Sequence, residues 1–183
     1  MAPVIRSRLG SYLFMVALAA VFPAATIHFL MAEGNAPVTG PEHLGLVAFA
    51  SSVAGIASAC LLWSGTRSRD AHAVMSGAAF AAMSLLLLIH GLATPGVIVD
   101  SNPLIGFAGG VALPVGGALL ALTAIPALRA PHRVKTVSIA LVGLLSLIVV
   151  GGAVGFMFPS RVPQMPKSGD QSAIVLMIAG LIF

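Results

Sequence analysis

Long apolar stretches separated by short polar segments dominate this sequence. A transmembrane helix needs about 20 mostly apolar residues, because each residue adds about 1.5 Å to its length. Five stretches reach this length, at residues 11–32, 43–63, 71–94, 104–126 and 136–158, and a shorter one covers 171–183. The pattern predicts an all-α integral membrane bundle of about six transmembrane helices with short loops.

The first and last stretches each allow two interpretations. Arg6 and Arg8 before an apolar run are typical of a signal peptide, but the run is long and further spans follow, so we interpret it as an uncleaved helix. The last stretch is too short to cross the hydrocarbon. It is either re-entrant or cut short, and we favour a chain truncated within or just after helix six. Residues 1–183 then form one transmembrane domain.

Composition supports a lipid environment. Hydrophobic residues make up 58% of the chain and charged residues 8%, whereas soluble domains carry about 25% charged residues. The mean hydropathy is +1.07. A chain of 183 residues cannot bury that much apolar surface in a core of its own. We therefore expect a multi-pass protein of a bacterial-type cytoplasmic (inner) membrane, with the lipid bilayer as a partner and no nucleic acid.

Charge is distributed unequally between the two sets of helix ends. One set carries seven basic residues, namely Arg6, Arg8, Arg67, Arg69, Arg129, Arg133 and Lys135. The other set carries Arg161 and Lys167, together with the acidic residues Glu33, Glu42, Asp100 and Asp170. Because cytoplasmic loops of membrane proteins are enriched in Lys and Arg, this asymmetry predicts a cytoplasmic N-terminus.

The predicted spans lack charged residues near their centres. Ion pumps and proton-coupled transporters need buried carboxylates, so this absence argues against them. The spans also offer no acid–base pair and no nucleophile with a carboxylate–histidine partner. We therefore expect that this chain is not itself an enzyme.

Histidines are the remaining candidates for chemistry. His72 and His132 fall at the predicted cytoplasmic interface, whereas His28, His43 and His90 fall near the outer one. Neutral imidazole is the commonest metal ligand, so these three predict a Zn or Cu site. Alternatively, His28 and His90, each about four residues from the end of its span, are axial ligands of haem b. A third interpretation is that each ring only bonds to its neighbours, and the sequence leaves all three open.

Small residues suggest close helix packing next to His90. Gly91 follows His90, and the fourth span carries Pro114 and five glycines that predict an open wall of a small pocket: Gly106, Gly109, Gly110, Gly116 and Gly117. Pairs spaced i,i+4 let helix backbones approach closely, within one chain or in a homodimer. These pairs are Gly106 with Gly110, Gly151 with Gly155, and Ser51 with Gly55. A helix stop with tight packing is the competing interpretation.

The run His90-Gly91-Leu92-Ala93-Thr94-Pro95-Gly96 near the outer face, with six spans and cytoplasmic ends, resembles the N-terminal membrane domains of bacterial signalling proteins. In such proteins a multi-helix sensor precedes a cytoplasmic nucleotide cyclase, diguanylate cyclase or histidine kinase. The resemblance implies a membrane sensor or anchor that binds a small ligand, metal ion or cofactor and signals to a cytoplasmic domain beyond this chain. A membrane haem or redox protein is the alternative, and a small transporter is a weaker one.

Overall fold

The computed structural model describes residues 39–164, and they form four long helices. Helix α1 spans Gly40–Ser68, α2 Ala71–Leu92, α3 Leu104–Leu122 and α4 Val134–Met157. Short 3-10 turns lie at Pro126–Leu128, Pro131–Arg133 and Pro159–Arg161. All four helices are long and apolar enough to cross a membrane. The second to fifth predicted spans are therefore confirmed as helices, while the first and sixth lie outside the described residues.

Local sequence explains where the helices start and stop. The Glu42 carboxylate accepts a hydrogen bond from the backbone nitrogen of Thr39 at 2.9 Å, which fixes the first turn of α1. Asp70 caps α2 by accepting from the backbone nitrogens of His72 and Ala73. Helix α3 ends at Leu122, four residues before the predicted limit, because Ile125 precedes Pro126 and is extended.

Helix α2 is the centre of the described bundle. It packs antiparallel to α1 on one side and against α3 and α4 on the other, whereas α3 and α4 contact each other little. Its buried side chains are mostly small, including Ala78, Ala79 and Ala82. Small side chains allow the closely spaced backbones that are typical of helix packing in lipid.

The outward faces of the helices are apolar. Phe49 is 72% exposed, Trp63 70% and Leu147 66%, and many other aliphatic side chains are similarly open. Water-soluble monomers rarely expose contiguous apolar surface of this extent. Together with the four spans, these faces identify a membrane protein.

Two serines connect α1 and α2 near the middle of both helices. Ser51 Oγ donates to the Ser84 carbonyl at 2.8 Å, and Ser84 Oγ donates to the Ser51 carbonyl at 2.8 Å. One turn along α1, Gly55 lets Ser84 approach, since a Cβ there would lie 3.3 Å from Ser84 Oγ. The predicted close packing at Ser51 and Gly55 is therefore observed.

We expect the two serines to contribute a small, mutually dependent stabilisation. In a double-mutant cycle, Ser51→Ala and Ser84→Ala should show a coupling energy of about 0.6 kcal/mol, the average for interhelical hydrogen bonds in membranes. Reversible unfolding in mixed micelles would measure it. Ser52→Ala is the matched control, because Ser52 bonds only to the Ala48 carbonyl of its own helix. Additive effects of the two serine substitutions would contradict this assignment.

The other predicted glycine pairs are observed only in part, since Gly155 packs closely but Gly106, Gly110 and Gly151 do not. Gly106 and Gly110 are exposed on α3. The closest contacts to α2 fall instead on Gly109, where an added Cβ would lie 2.7 Å from His90, and on Gly116, where an added Cβ would collide with Met83. On α4, Gly151 has open space around it, whereas Gly152 meets Ile89 and Gly155 meets Leu104. The sequence identified the glycine-rich helices but not which face each one turns to its neighbour.

Candidate functional site

The two ends of the described bundle differ in chemistry. Four helix ends lie together, and we call them the histidine end. They are the start of α1 at Gly40, the end of α2 at Leu92, the start of α3 at Leu104 and the end of α4 at Met157. The opposite ends, with the connections at residues 69–70 and 123–133, form the basic end. Within residues 39–164 the basic end carries Arg67, Arg69, Arg129, Arg133 and Lys135 with one acidic residue, Asp70, whereas the histidine end carries Arg161, Glu42 and Asp100. The charge asymmetry predicted from the sequence therefore separates the two ends of the described helices.

His43 and His90 meet at the histidine end. His43 lies in the first turn of α1 and His90 in the last turn of α2, and both side chains are partly buried. Their Nε2 atoms are 2.9 Å apart, and the ring centroids are 5.0 Å apart with the planes at 70°. We call this arrangement the histidine pair. It joins two helices through a single hydrogen bond between the two imidazole rings.

The other nitrogen of His90 fixes the direction of that bond. His90 Nδ1 is 2.6 Å from the carbonyl oxygen of Ile105 on α3. A carbonyl oxygen only accepts, so Nδ1 carries the proton and donates. Neutral His90 then has an unprotonated Nε2, which accepts from the Nε2–H of His43. His90 therefore presents an oriented lone pair toward α1.

Gly109 makes room for the His90 ring. A Cβ at Gly109 would lie 2.7 Å from His90 Nδ1 and 3.0 Å from its Cε1, so the ring would have to shift to admit it. Gly109 is one turn along α3 from Ile105, so the bare backbone there lets the imidazole approach the Ile105 carbonyl. The predicted glycine wall beside His90 thus consists, in the described helices, of Gly109.

Gly91 brings α1 close enough for His43 to reach its partner. A Cβ at Gly91 would lie 3.1 Å from Val47 and 3.2 Å from Leu44, both on α1. Gly91 is itself buried. Any larger side chain at this position would push the start of α1, and with it His43, away from α2.

The structure brings together two of the three predicted site residues. His43 was predicted as a metal ligand and is in direct contact with His90. His28 lies outside the described residues, so its part in a metal or haem site stays a prediction. His72 and His132 lie at the basic end, as predicted. Among residues 39–164, no group of three or more His, Cys, Asp and Glu side chains is arranged to hold a metal ion.

Sequence reasoning missed one group of the candidate site, the Ile105 carbonyl, which accepts a hydrogen bond from His90. A backbone oxygen carries no residue signal, because every residue has one. The nearest sequence signal was the glycine content of the fourth span, since an imidazole reaches a helix backbone only where a side chain is absent.

The geometry of the histidine pair is compatible with two ligands of a metal ion. Metal-bound histidines usually donate their second ring nitrogen to a carbonyl or carboxylate, as His90 does to Ile105. Two Zn–N bonds of about 2.0–2.1 Å at a tetrahedral angle place the nitrogens about 3.3 Å apart. Opening the pair from 2.9 Å to that separation needs a shift of about 0.4 Å. Two protein ligands leave further positions for water or other donors.

A separate apolar groove lies between α2, α3 and α4. It encloses about 390 Å³, and its walls include Leu86, Phe107, Val111, Leu144 and Gly151. The lining side chains are hydrocarbon, so the groove offers volume but no group for acid–base or metal chemistry. The histidine pair remains the stronger candidate site.

Comparison of the chain with protein-family models, with curated proteins and with solved structures finds no match.

Proposed function

We propose that this chain is a membrane sensor or anchor domain that binds a Zn or Cu ion at the histidine pair. The observation that carries the proposal is the oriented arrangement of His43, His90 and the Ile105 carbonyl. Because His90 Nδ1 donates its proton to the Ile105 carbonyl, the neutral ring leaves Nε2 unprotonated and aimed at His43, which is how an imidazole ligand is prepared for a metal. On metal binding, His43 moves its proton from Nε2 to Nδ1.

A metal ion fits this pair better than haem does. A haem with two axial histidines needs the iron and the porphyrin plane between their nitrogens. His43 Nε2 and His90 Nε2 are in hydrogen-bond contact, and glycine backbone closes in on His90 from α3. The haem alternative that uses His28 with His90 requires His43 to leave His90. A small cation requires only a slight increase in the distance between His43 Nε2 and His90 Nε2.

Helix connectivity supports a sensory role. The histidine pair lies on α1 and α2, and its hydrogen bond to Ile105 adds α3. A ligand that binds one arrangement of these helix ends more tightly than another shifts the population toward it. The change then extends along rigid helices of 19 to 29 residues to the basic end. The resemblance to bacterial sensor domains, whose output lies on the cytoplasmic side of the inner membrane, supports the same direction of signalling.

This proposal places the histidine end outside the cell and the basic end in the cytoplasm. In a Cys60→Ala background, Asp100→Cys should react with a membrane-impermeant maleimide added to intact cells. Arg67→Cys should react only after the membrane is opened, because loops rich in Lys and Arg stay cytoplasmic. Labelling of the Arg67→Cys variant in intact cells, with protection of the Asp100→Cys variant, would reverse the orientation.

Metal analysis of the purified full chain tests the binding function. Wild-type protein titrated with Zn²⁺ or Cu⁺ should bind one ion per chain, and His43→Ala and His90→Ala should each reduce the affinity strongly. Binding should also weaken on acidification, since protons compete with the metal for Nε2. The same titration of His28→Ala tests the prediction that His28 is a third ligand.

The double variant His72→Ala/His132→Ala is the matched control, since it removes two histidines from the opposite end of the bundle. It should bind metal as the wild type does. Absence of a bound ion in the wild type, or binding that survives loss of both His43 and His90, would refute the proposal. An intense Soret band in the purified protein would favour the haem alternative instead.

A further inference from the structure

We infer that a cleft at the basic end, between the last turns of α1 and the first turns of α4, binds the phosphate of an anionic phospholipid headgroup. The cleft encloses about 500 Å³. It lies at the opposite end from the histidine pair, and it goes beyond the proposed metal function without depending on it. Its walls combine basic, hydroxyl and apolar side chains, the main ones being Thr66, Arg69, His132, Lys135, Ser138 and Ile139.

Positive charge in the cleft comes from both helices. Arg69 follows the end of α1, and Lys135 lies in the first turn of α4. The amino end of a helix carries a partial positive charge, so Lys135 there is electrostatically unfavourable without an anion. Within residues 39–164, no side chain caps the first turn of α4, whose N-cap is Arg133. An anion in the cleft would offset the positive charges of Arg69 and Lys135.

Among residues 39–164, the carboxylate next to the cleft in sequence is already engaged. Asp70 follows Arg69 directly, but its Oδ1 accepts from the backbone nitrogens of His72 and Ala73 at the start of α2. Arg69 itself has φ 55°, a left-handed conformation that glycine normally occupies at the end of a helix. The chain therefore keeps an arginine at a position where its backbone is unfavourable.

Ser138 adds a hydrogen-bond donor that lacks an acceptor. Its Oγ is shielded from solvent and, among the described residues, has no hydrogen-bond partner. A buried hydroxyl without a partner is costly, so native proteins normally satisfy it. Ser138 lines the cleft, where a phosphate oxygen would provide the missing acceptor beside the Lys135 ammonium.

The position of the cleft favours a lipid as the source of the phosphate. Ile139, in its wall, is 64% exposed on the apolar outer face of α4. A headgroup between Arg69 and Lys135 would therefore leave its acyl chains beside Ile139, in the hydrocarbon. Basic pockets between transmembrane helices on the cytoplasmic side are a recurring form of anionic lipid site.

Trp63 gives a direct readout, because it is the single tryptophan of the chain and lies one turn before Thr66. The full chain is reconstituted in phosphatidylcholine vesicles that contain a small fraction of brominated phosphatidylglycerol. Bromine quenches Trp63 on contact, so preferential binding should quench it more than an equal fraction of brominated phosphatidylcholine does. Equal quenching by the two lipids would overturn the inference.

Charge-matched double variants separate the cleft from general surface charge. Arg69→Gln/Lys135→Gln should weaken phosphatidylglycerol binding about 25-fold, given about fivefold for each basic group that contacts an anionic lipid. Arg67→Gln/Arg133→Gln removes the same charge from the same end but spares the cleft, and screening should limit its effect to less than about fivefold. Equal losses in the two variants would indicate a diffuse surface potential and contradict a site.

Ser138→Ala provides a variant that preserves helix and charge. It should raise thermal stability in phosphatidylcholine alone, because it removes an unsatisfied hydroxyl, and it should weaken phosphatidylglycerol binding. A binding constant unchanged by Ser138→Ala would exclude Ser138 from the site and overturn the inference as stated.

Inorganic phosphate, compared with chloride at equal ionic strength, should not relieve the quenching of Trp63 by brominated phosphatidylglycerol. Relief by phosphate would assign the cleft to free phosphate instead.

Discussion

Gly65→Ala should be among the most destabilising single-methyl substitutions in this protein. A Cβ at Gly65 would lie 2.8 Å from the backbone nitrogen of Val74 and 2.9 Å from its Cγ2. Val74 is fully buried in α2, so its backbone nitrogen cannot move without shifting the helix, and its side chain is enclosed by neighbouring atoms. Overpacking of this kind typically costs about 1–3 kcal/mol. Here the loss should remain net, even after alanine's helix-propensity advantage of about 1 kcal/mol over glycine.

Gly45→Ala is the control for this prediction. Gly45 lies in the same helix α1, but a Cβ there meets nothing within 4 Å. It should leave stability unchanged or raise it slightly. Unfolding in mixed micelles gives the free energies of unfolding of the Gly65→Ala and Gly45→Ala proteins under one set of conditions. A Gly65→Ala protein as stable as the Gly45→Ala protein would mean that α1 and α2 are farther apart than described.

The helices themselves were predictable because length and hydrophobicity determine them. Four of the predicted spans are helices, with ends that differ by a few residues where local chemistry decides. At α1, for example, the helix continues five residues past the predicted end to Ser68, because residues 64–68 contain no helix breaker other than Gly65. Elsewhere in the described residues, Asp70 and Asn102 accept hydrogen bonds at the starts of α2 and α3, and α4 ends just before Phe158–Pro159.

The sequence predicts how deep in the membrane the histidines lie, but not how each helix is rotated about its axis. His90 and His43 were placed at the same end from their distances to the loops. Which way each ring faces could not be derived, because these helices are apolar on all sides and carry little amphipathic signal. The same ambiguity explains why Gly106 and Gly110 were expected in the interface that Gly109 and Gly116 form.

Gly109→Ala should lower metal affinity about 10- to 100-fold, although Gly109 provides no ligand atom. The added Cβ would lie 2.7 Å from His90 Nδ1, so the ring must move and give up its bond to the Ile105 carbonyl. Loss of such an outer hydrogen bond to a metal-bound histidine typically costs that range of affinity. Isothermal titration with Zn²⁺ on wild-type and variant protein measures the change.

A matched substitution distinguishes this effect from general damage to α3. Gly110→Ala changes the neighbouring residue in the same helix, but Gly110 is exposed on another face. It should bind Zn²⁺ as the wild type does, and both variants should retain wild-type helicity by circular dichroism. Equal affinity in the Gly109→Ala and wild-type proteins would show that the Ile105 bond does not prepare His90 for a metal. Equal losses at Gly109 and Gly110 would instead indicate that α3 as a whole, and not the contact with His90, controls binding.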